Sequence, residues 1–445
     1  MMKEMKKLTA ILLVLVLAAT LTVGCASGKE NKEDEKIPVD SQQTETPEVP
    51  EEPEEPEIVE PQEVVSTLVV CGDMMTHLPI TQDAWNAERG WYDFTRLMAA
   101  AEPYVSIADG AVVNLETTLA GGPNYSGYPN FNAPDKLAYD LKDLGFDLIM
   151  TSNNHSLDKG GKAVIRTLDV LDEVGLLHVG TSRSQEEYDN NVQVLDVGGI
   201  SIAFLAYTYG TNGIPTPSSA PYAVNLFNTD YLTYMSTPDT EKILADLELA
   251  QNTGADMVAV MIHWGNEYQT TQNSYQKKIA KLLTENGADL VLGGHPHVLQ
   301  PMEMMDVTYA DGTAGEAFVS YSLGNFISSQ NYELTDTTVV LTVELTKNLE
   351  TGETRVSDYW YRPMFMLDRE GGTNRFELLD IYEQLEDENL SDSLRQPLEK
   401  ALENIHKILG PEHDEVYRQQ QAQQPSVEAE QSAAAEQPTE QTPAA

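Results

Sequence analysis

Thr67-Leu68-Val69-Val70-Cys71-Gly72-Asp73-Met74-Met75-Thr76-His77 reads as a short β-branched apolar run that breaks at a glycine into side chains able to hold a proton or a metal. The same grammar returns along the chain. The run Ala111 to Asn114 leads into Asn114-Leu115-Glu116, and Asp147 to Thr151 into Ser152-Asn153-Asn154-His155-Ser156-Leu157-Asp158. Met257 to His263 leads into His263-Trp264-Gly265-Asn266-Glu267, and Asp289 to Leu292 into Gly293-Gly294-His295-Pro296-His297. Phe318 to Tyr321 leads into Ser322-Leu323-Gly324-Asn325-Phe326, and Ser201 to Tyr207 is a further strand. Between these runs, Leu137, Leu141 and Leu144 precede Gly145, Val164, Leu168 and Leu171 precede Gly175, and Tyr275, Ile279 and Leu282 precede Gly287. That is helical spacing, closed each time by a glycine that can take the left-handed cap. Strands alternating with amphipathic helices predict an α/β domain. In open α/β sheets the carboxyl ends of strands gather at one edge, so the polar clusters are expected to share one pocket.

Composition narrows the chemistry. Lys and Arg total 27 against 71 Asp and Glu, a formal charge of −44, of which −31 falls in residues 67–418. Such a field repels nucleic acid, and nucleic acid is excluded as a partner; any anionic substrate needs local cations. The two cysteines, Cys25 and Cys71, exclude a disulfide framework and a Cys-rich metal site. Cys71, inside a strand, reads as a small buried hydrophobe.

The ends differ from the middle. Residues 1–25 carry a basic start (Lys3, Lys6, Lys7) and an apolar run to Val23, an export signal. Leu21-Thr22-Val23-Gly24-Cys25 resembles a lipobox, so Cys25 is the expected lipidation site of an extracytoplasmic, membrane-anchored lipoprotein; ordinary cleavage or an uncleaved anchor is the alternative. Residues 26–66 are rich in Pro-Glu pairs and net −11, an extended disordered linker, and residues 419–445 read as a disordered tail. A core over 67–365 and a C-terminal helical extension over 366–418, marked by Leu394, Leu398, Ile405 and Leu409 before Gly410-Pro411, complete the expected organisation.

His155, His263, His295 and His297 lie in the strand-end clusters with Asp73, Glu116 and Asn154. Imidazole mixed with carboxylate suits a divalent transition metal (Mn, Fe or Zn), whereas a calcium site is all oxygen. A central carboxylate can bridge two ions, which together activate water and receive a substrate oxyanion. Each residue also has a plain structural reading. Asp73 can cap a turn, Asn153 and Asn154 can take left-handed turns, and Asp158 can cap the following helix instead of orienting His155. Glu267 and Asn325 either shape the pocket or bond local backbone, and His77 reads as a surface residue rather than a ligand.

Six segments in this order, GDMMTH, NLETTL, TSNNHSLDKG, IHWGNEY, GGHPHVLQP and SLGNF, resemble the CapA family of poly-gamma-glutamate capsule proteins, whose fold is similar to that of metallophosphoesterases. The resemblance covers roughly Ser66 to Phe365. It implies a four-layer sandwich of two mixed sheets flanked by helices. It also implies Asp73 and His297 on one metal, Glu116 as the bridge, Asn154, His263 and His295 on the other, and His155 as general acid. Asn153, Asp158, Glu267 and Asn325 are expected around the substrate. Three positions depart from the phosphoesterase pattern: Met75 replaces a metal-binding His, Glu116 replaces an Asp, and Asn132 stands where many relatives have Arg. His77 reaching in from the next turn is one remedy for Met75; a weak metal position is the other.

The expected function is therefore a surface-tethered protein of capsule synthesis, export or attachment, with a dinuclear site for hydrolysis of a phosphoester or an acyl or amide bond. The alternative is a non-catalytic polymer-handling or assembly subunit. The expected partners are the membrane through the lipid anchor, an anionic polymer or phosphoester substrate, and membrane subunits of capsule synthesis.

Overall fold

The structure is a computed structural model and describes residues 62–309, 312–371 and 374–423. The signal segment 1–25 with Cys25, the linker as far as residue 61 and the tail beyond 423 lie outside the described residues.

In chain order the strands are β1 (Glu63–Met74), β2 (Trp85–Asn86), β3 (Trp91–Tyr92), β4 (Gly110–Leu115), β5 (Leu148–Met150), β6 (Leu177–Val179), β7 (Gln193–Val197) and β8 (Ile200–Thr208). Then follow β9 (Met257–His263), β10 (Leu290–Gly294), β11 (Leu299–Thr308), β12 (Ala314–Leu323), β13 (Asn325–Ile327), β14 (Thr337–Asn348), β15 (Thr354–Asp368) and β16 (Phe376–Asp380). One sheet has the order β16-β15-β14-β1-β4-β5-β6, with β13 also pairing β1, and the other the order β11-β12-β10-β9-β8-β7. In the first, β1, β4, β5 and β6 run parallel while β14, β15 and β16 alternate against them. In the second, β12, β10, β9 and β8 run parallel between antiparallel edges β11 and β7. Both sheets are mixed.

The period-2 alternation of the strands sorts their side chains into layers. Leu68 and Val70 of β1 meet Met257, Ala259 and Met261 of β9 between the sheets. Val69 and Cys71 face outward onto a layer that includes Leu137, Leu141, Val164 and Leu168 of two helices, Lys136–Leu144 and Gly161–Val174. On the far side, Val258, Val260 and Ile262 of β9 face Ile243, Leu247, Ile279 and Leu283 of the helices Thr240–Gln251 and Ser274–Glu285. The result is the four-layer α/β sandwich of two mixed sheets flanked by helices. Strands buried on both faces have to be apolar at every position, which is why β9 reads Met-Val-Ala-Val-Met-Ile-His without alternation.

Three boundaries differ from the sequence reading. β1 begins at Glu63, inside the expected linker, because Glu63 to Ser66 continue the ladder with Asn348 to Leu345 of β14 and so satisfy their backbone groups. Beyond residue 365 the chain stays in the sandwich: β15 runs on to Asp368 and β16 adds a strand beside it. The helix Asp392–Leu409 then presses Leu398, Ala401, Ile405 and Leu409 into the core between the sheets. The helix Glu415–Gln423 also runs into the expected tail, its first turn held by Asp414, whose Oδ1 accepts from the Val416 and Tyr417 N–H groups at 2.9 and 3.0 Å.

Candidate metal centre

The parallel strands of both sheets deliver their carboxyl ends to one place. Asp73 closes β1, Glu116 follows β4, Asn153 to His155 follow β5, His263 closes β9, and His295 and His297 follow β10. The approach is close enough to need glycine: a Cβ on Gly294 would lie 2.5 Å from Asp73 Oδ1. His295 and His297 both hold positive φ, 96° and 58°, a conformation that side chains other than glycine adopt at a cost. The Asp73 carboxylate fixes this turn, its Oδ2 accepting from the His295 backbone N–H at 2.9 Å, while Oδ1 accepts from Asn114 Nδ2 at 2.7 Å.

Around that carboxylate the ligand atoms converge. His297 Nδ1 lies 3.4 Å from Asp73 Oδ2, and His263 Nε2 lies 3.3 Å from Glu116 Oε1. The potential donor atoms of Asp73, Glu116 and His297 fall within 4.8 Å of one another, and so do those of Glu116, His263 and His295. Asn154 Oδ1 stands 2.9 Å from His263 Nε2. Glu116 belongs to both groups. Its two carboxylate oxygens are fully buried and have no hydrogen-bond partner, and His295 Nδ1 and His297 Nδ1 are equally orphaned. Buried polar atoms left this way cost folding free energy unless something binds them. Oxygens and imidazole nitrogens gathered this closely fit a divalent metal.

The electrostatics agree with a site of ligands. Burial would raise the Asp73 carboxyl, but the His297 ring, its Nδ1 3.4 Å away, and the nearby His263 ring hold it below the usual carboxylate range. Burial and then repulsion from His263 and His297 push His295 far down, so it is neutral and free to ligate. For His297, burial is outweighed by Glu116, Asp73 and Glu267, which push it up to about 9.

His155 sits beside this group, 4% exposed. Its Nδ1 lies 2.8 Å from Asp158 Oδ2, and that same oxygen accepts from the Phe131 N–H at 2.6 Å. Asp158 therefore orients His155; the cap position of the next helix belongs to Gly160. Asn153 shapes the floor, donating from Nδ2 to Asn114 Oδ1 and the Leu115 carbonyl at 3.1 and 2.8 Å. Asn325, paired with Asp73 across β13, bonds the Thr335 carbonyl and Gln330 at 3.1 and 2.9 Å and leaves its own Oδ1 buried and unpartnered. Glu267 is exposed, with its carboxylate within 4.8 Å of His295 and His297 donor atoms.

His77 stays outside these groups. It packs edge-on against Phe131 at 5.0 Å, with Nδ1 3.4 Å from Ser328 Oγ, and burial followed by repulsion from His297 and His155 lowers it to about 4. Met75 is buried. Asn132 braces its own loop, accepting from the Ala120 N–H and donating to the Gly121 and Asn124 carbonyls. Cys71 is buried, and burial pushes its thiol up. Sequence reasoning missed Tyr209, which stacks on His263 at 6.3 Å and tilts over His295 at 4.5 Å. It also missed Asn114 as the partner of Asp73, and Asn212, at φ 49°, as the partner of Asn154 Nδ2 at 3.1 Å. The signal for Tyr209 and Asn212 was the strand Ser201 to Tyr207, which lacked a cluster of its own.

Strand-end ligands on a two-sheet α/β sandwich define a class, and the sequence comparisons give it a family. Residues 67–330 match the family model described as "Bacterial capsule synthesis protein PGA_cap", and the chain belongs to that family. It is 28% identical over 259 residues to the PGA biosynthesis protein CapA of Bacillus subtilis (strain 168), covering 58% of this chain and 56% of that one. To the capsule biosynthesis protein CapA of Bacillus anthracis it is 27% identical over 252 residues, covering 55% and 57%. The chain thus spans little more than half the length of these curated relatives. Among solved structures, a phosphatase from Mycoplasma pneumoniae aligns over 68% of this chain and 94% of its own, with a TM-score of 0.37 and 14% identity. Among the described residues, no helix is long and apolar enough to cross a membrane.

Proposed function

We propose that this chain is a metal-dependent hydrolase of the cell envelope, acting on a phosphoester or on an acyl or amide bond in the synthesis, export or attachment of a capsule polymer such as poly-gamma-glutamate. The observation that carries this reading is the set of buried, unpartnered ligand atoms on Glu116, His295 and His297. Asp73 and His297 would hold one ion, Asn154, His263 and His295 the other, and Glu116 would bridge them. When bound, such ions supply Lewis acidity for activating water and for offsetting charge on the substrate oxygen.

The rest of the chemistry falls to the chain itself. A carboxylate can only accept, so Asp158 takes a hydrogen bond from His155 Nδ1, and in the doubly protonated ring that serves as the acid Nε2 carries the transferable proton. As the scissile P–O or C–N bond breaks, His155 gives that proton to the leaving oxygen or nitrogen. Phe131 packs edge-on against the His155 ring at 4.6 Å and keeps it from turning. A cavity of about 540 Å³ is lined by His77, Tyr125, Tyr128 and Lys159 among others, and His77 in turn packs against Phe131. Lys159 supplies a cation for an anionic substrate there. Attachment to the membrane through Cys25, and contact with membrane subunits of capsule synthesis, belong to the same proposal and rest on the sequence alone.

The test is metal content and turnover together. Purified protein should carry Mn, Fe or Zn on elemental analysis and cleave a phosphodiester or gamma-glutamyl substrate, and His263→Ala should abolish turnover. Protein that takes up no transition metal ends the proposal. Equal and negligible turnover in both proteins leaves the polymer-handling role, which buried Met75 at an expected ligand position favours.

A further inference from the structure

Taking the two-ion reading as its base, the position of Glu267 addresses what Met75 leaves undone. The group around Glu116, His263 and His295 also has Asn154 at hand, whereas Asp73, Glu116 and His297 have no fourth partner among themselves. His77, the replacement suggested by sequence, is turned to Phe131 and Ser328 and joins none of the three donor groups among the described residues. The third group is Glu267, His295 and His297; it shares His297 with the Asp73 group and His295 with the His263 group, which already has Asn154 as a fourth partner.

The loop that carries Glu267 is built to hold it there. Trp264 donates its backbone N–H to the Gly294 carbonyl at 3.1 Å, and Tyr268 donates to the Pro296 carbonyl at 2.8 Å. These two bonds bracket Glu267 and tie its loop to the segment that bears both histidines. Between them Gly265 turns at φ 87° where a Cβ would meet the Gln276 side chain at 2.8 Å, and Tyr268 holds φ 62°. A non-glycine residue kept at positive φ beside orphaned histidine nitrogens marks a position the fold over-determines.

We infer that Glu267 is a metal ligand, joining Asp73, Glu116 and His297 on the ion that Met75 leaves one ligand short. Its carboxylate is the exposed member of an otherwise buried set, so it closes the centre on the solvent side.

The experiment uses the full chain, stripped of metal and titrated with Mn(II) by calorimetry, with Co(II) absorption as a spectroscopic check on coordination. Wild-type protein should bind two ions. Glu267→Gln should keep one site and weaken the other by about tenfold or more, with a changed Co(II) spectrum. Glu267→Asp retains the charge but withdraws the carboxylate by one methylene, and should behave like Glu267→Gln. His77→Ala should titrate as wild type. Wild-type affinities in Glu267→Gln, or in Glu267→Asp alone, overturn the assignment, the second outcome showing that only the charge matters. Weakening in His77→Ala hands the missing ligand to His77 and overturns it too. If wild-type protein binds no Mn(II), the two-ion reading falls first, and this falls with it.

Discussion

Two buried polar clusters in this protein follow opposite rules. At the C-terminal side, Asp380 accepts from Arg362 Nε at 2.6 Å, from Tyr104 Oη at 2.7 Å and from the Tyr382 and Glu383 N–H groups at 3.0 and 3.2 Å. Asp414 likewise accepts from Tyr382 Oη and His406 Nε2 at 2.9 and 2.8 Å. Both carboxylates are satisfied from within the chain. At the strand ends, Glu116 is equally buried and accepts nothing, and two histidine nitrogens beside it have no partner. The first cluster ties helices to β15 and β16; the second is incomplete without something from outside. Burial and charge are alike in the two, so hydrogen-bond satisfaction is what separates a brace from a site.

That contrast breaks most visibly in stability. Asp380→Ala leaves the half-buried Arg362 guanidinium with only Glu415 at 3.7 Å and removes a helix cap, and is expected to cost about 2–4 kcal/mol in chemical denaturation of the metal-free protein. Glu116→Gln loses no hydrogen bond, only the charge that faces His297, and is expected to cost the metal-free protein much less than Asp380→Ala. Similar losses in both variants would erase the distinction.

Metal sharpens the comparison from the other side. With Mn(II) at a hundredfold excess over its dissociation constant, the folded state should gain about 2.7 kcal/mol, read as a rise in melting temperature that a chelator reverses. Glu116→Gln should lose most of that rise, and Asp380→Ala should keep it. A rise that survives Glu116→Gln would place the ion elsewhere.

Proton linkage is the next smaller effect. His297 has a folded-state pKa raised to about 9, above the ordinary histidine value of about 6.5. A raised pKa means the native state holds the proton more tightly than the unfolded chain. The stabilisation is fully present below pH 6.5 and is lost as pH rises to about 9, at no more than about 1.4 kcal/mol per pH unit. Metal-free protein should therefore weaken across that window in denaturant titrations, and His297→Gln should flatten the slope. Metal binding in the same window should release a proton, measurable by calorimetry in buffers of different ionisation enthalpy.

Much of this was legible in the sequence because chemistry follows each apolar run. β9 spans Met257 to His263 as its apolar run implies, and Asp73, Glu116, Asn154, His263, His295 and His297 come together from strands that the runs alone located. What escaped lay where residue types are ordinary. Thr208-Tyr209-Gly210-Thr211-Asn212 carries no histidine or carboxylate, so Tyr209 and Asn212 became visible only when the strands were side by side. The helix Asp392–Leu409 showed its apolar face in its spacing, but spacing names no partner, and the partner is the core between the two sheets. The role of Asp158 was undecidable in one dimension, since a carboxylate ahead of a helix suits a cap as well as an imidazole; its 2.8 Å contact with His155 Nδ1, and the cap position falling to Gly160, decide it.

Asp158 also yields the smallest prediction. Asp158→Asn keeps the size and keeps an oxygen for the Phe131 N–H, so the fold and the metal load should be unchanged. What it removes is the obligatory acceptor that sets the His155 proton on Nδ1. An amide can meet an imidazole with its oxygen or its nitrogen, so both neutral tautomers become populated, and the carboxylate charge that balances the doubly protonated acid is lost. Turnover should drop about tenfold, the equivalent of about 1.4 kcal/mol, in kcat rather than KM. Nitrogen NMR of the His155 ring should show the tautomers mixing in the same variant, a readout that a merely structural Asp158 would not move. In the His155→Ala background the Asp158→Asn change should cost nothing further, because its whole effect passes through that ring. A full additional loss in the double variant would mean that Asp158 acts through the Phe131 N–H and not through His155.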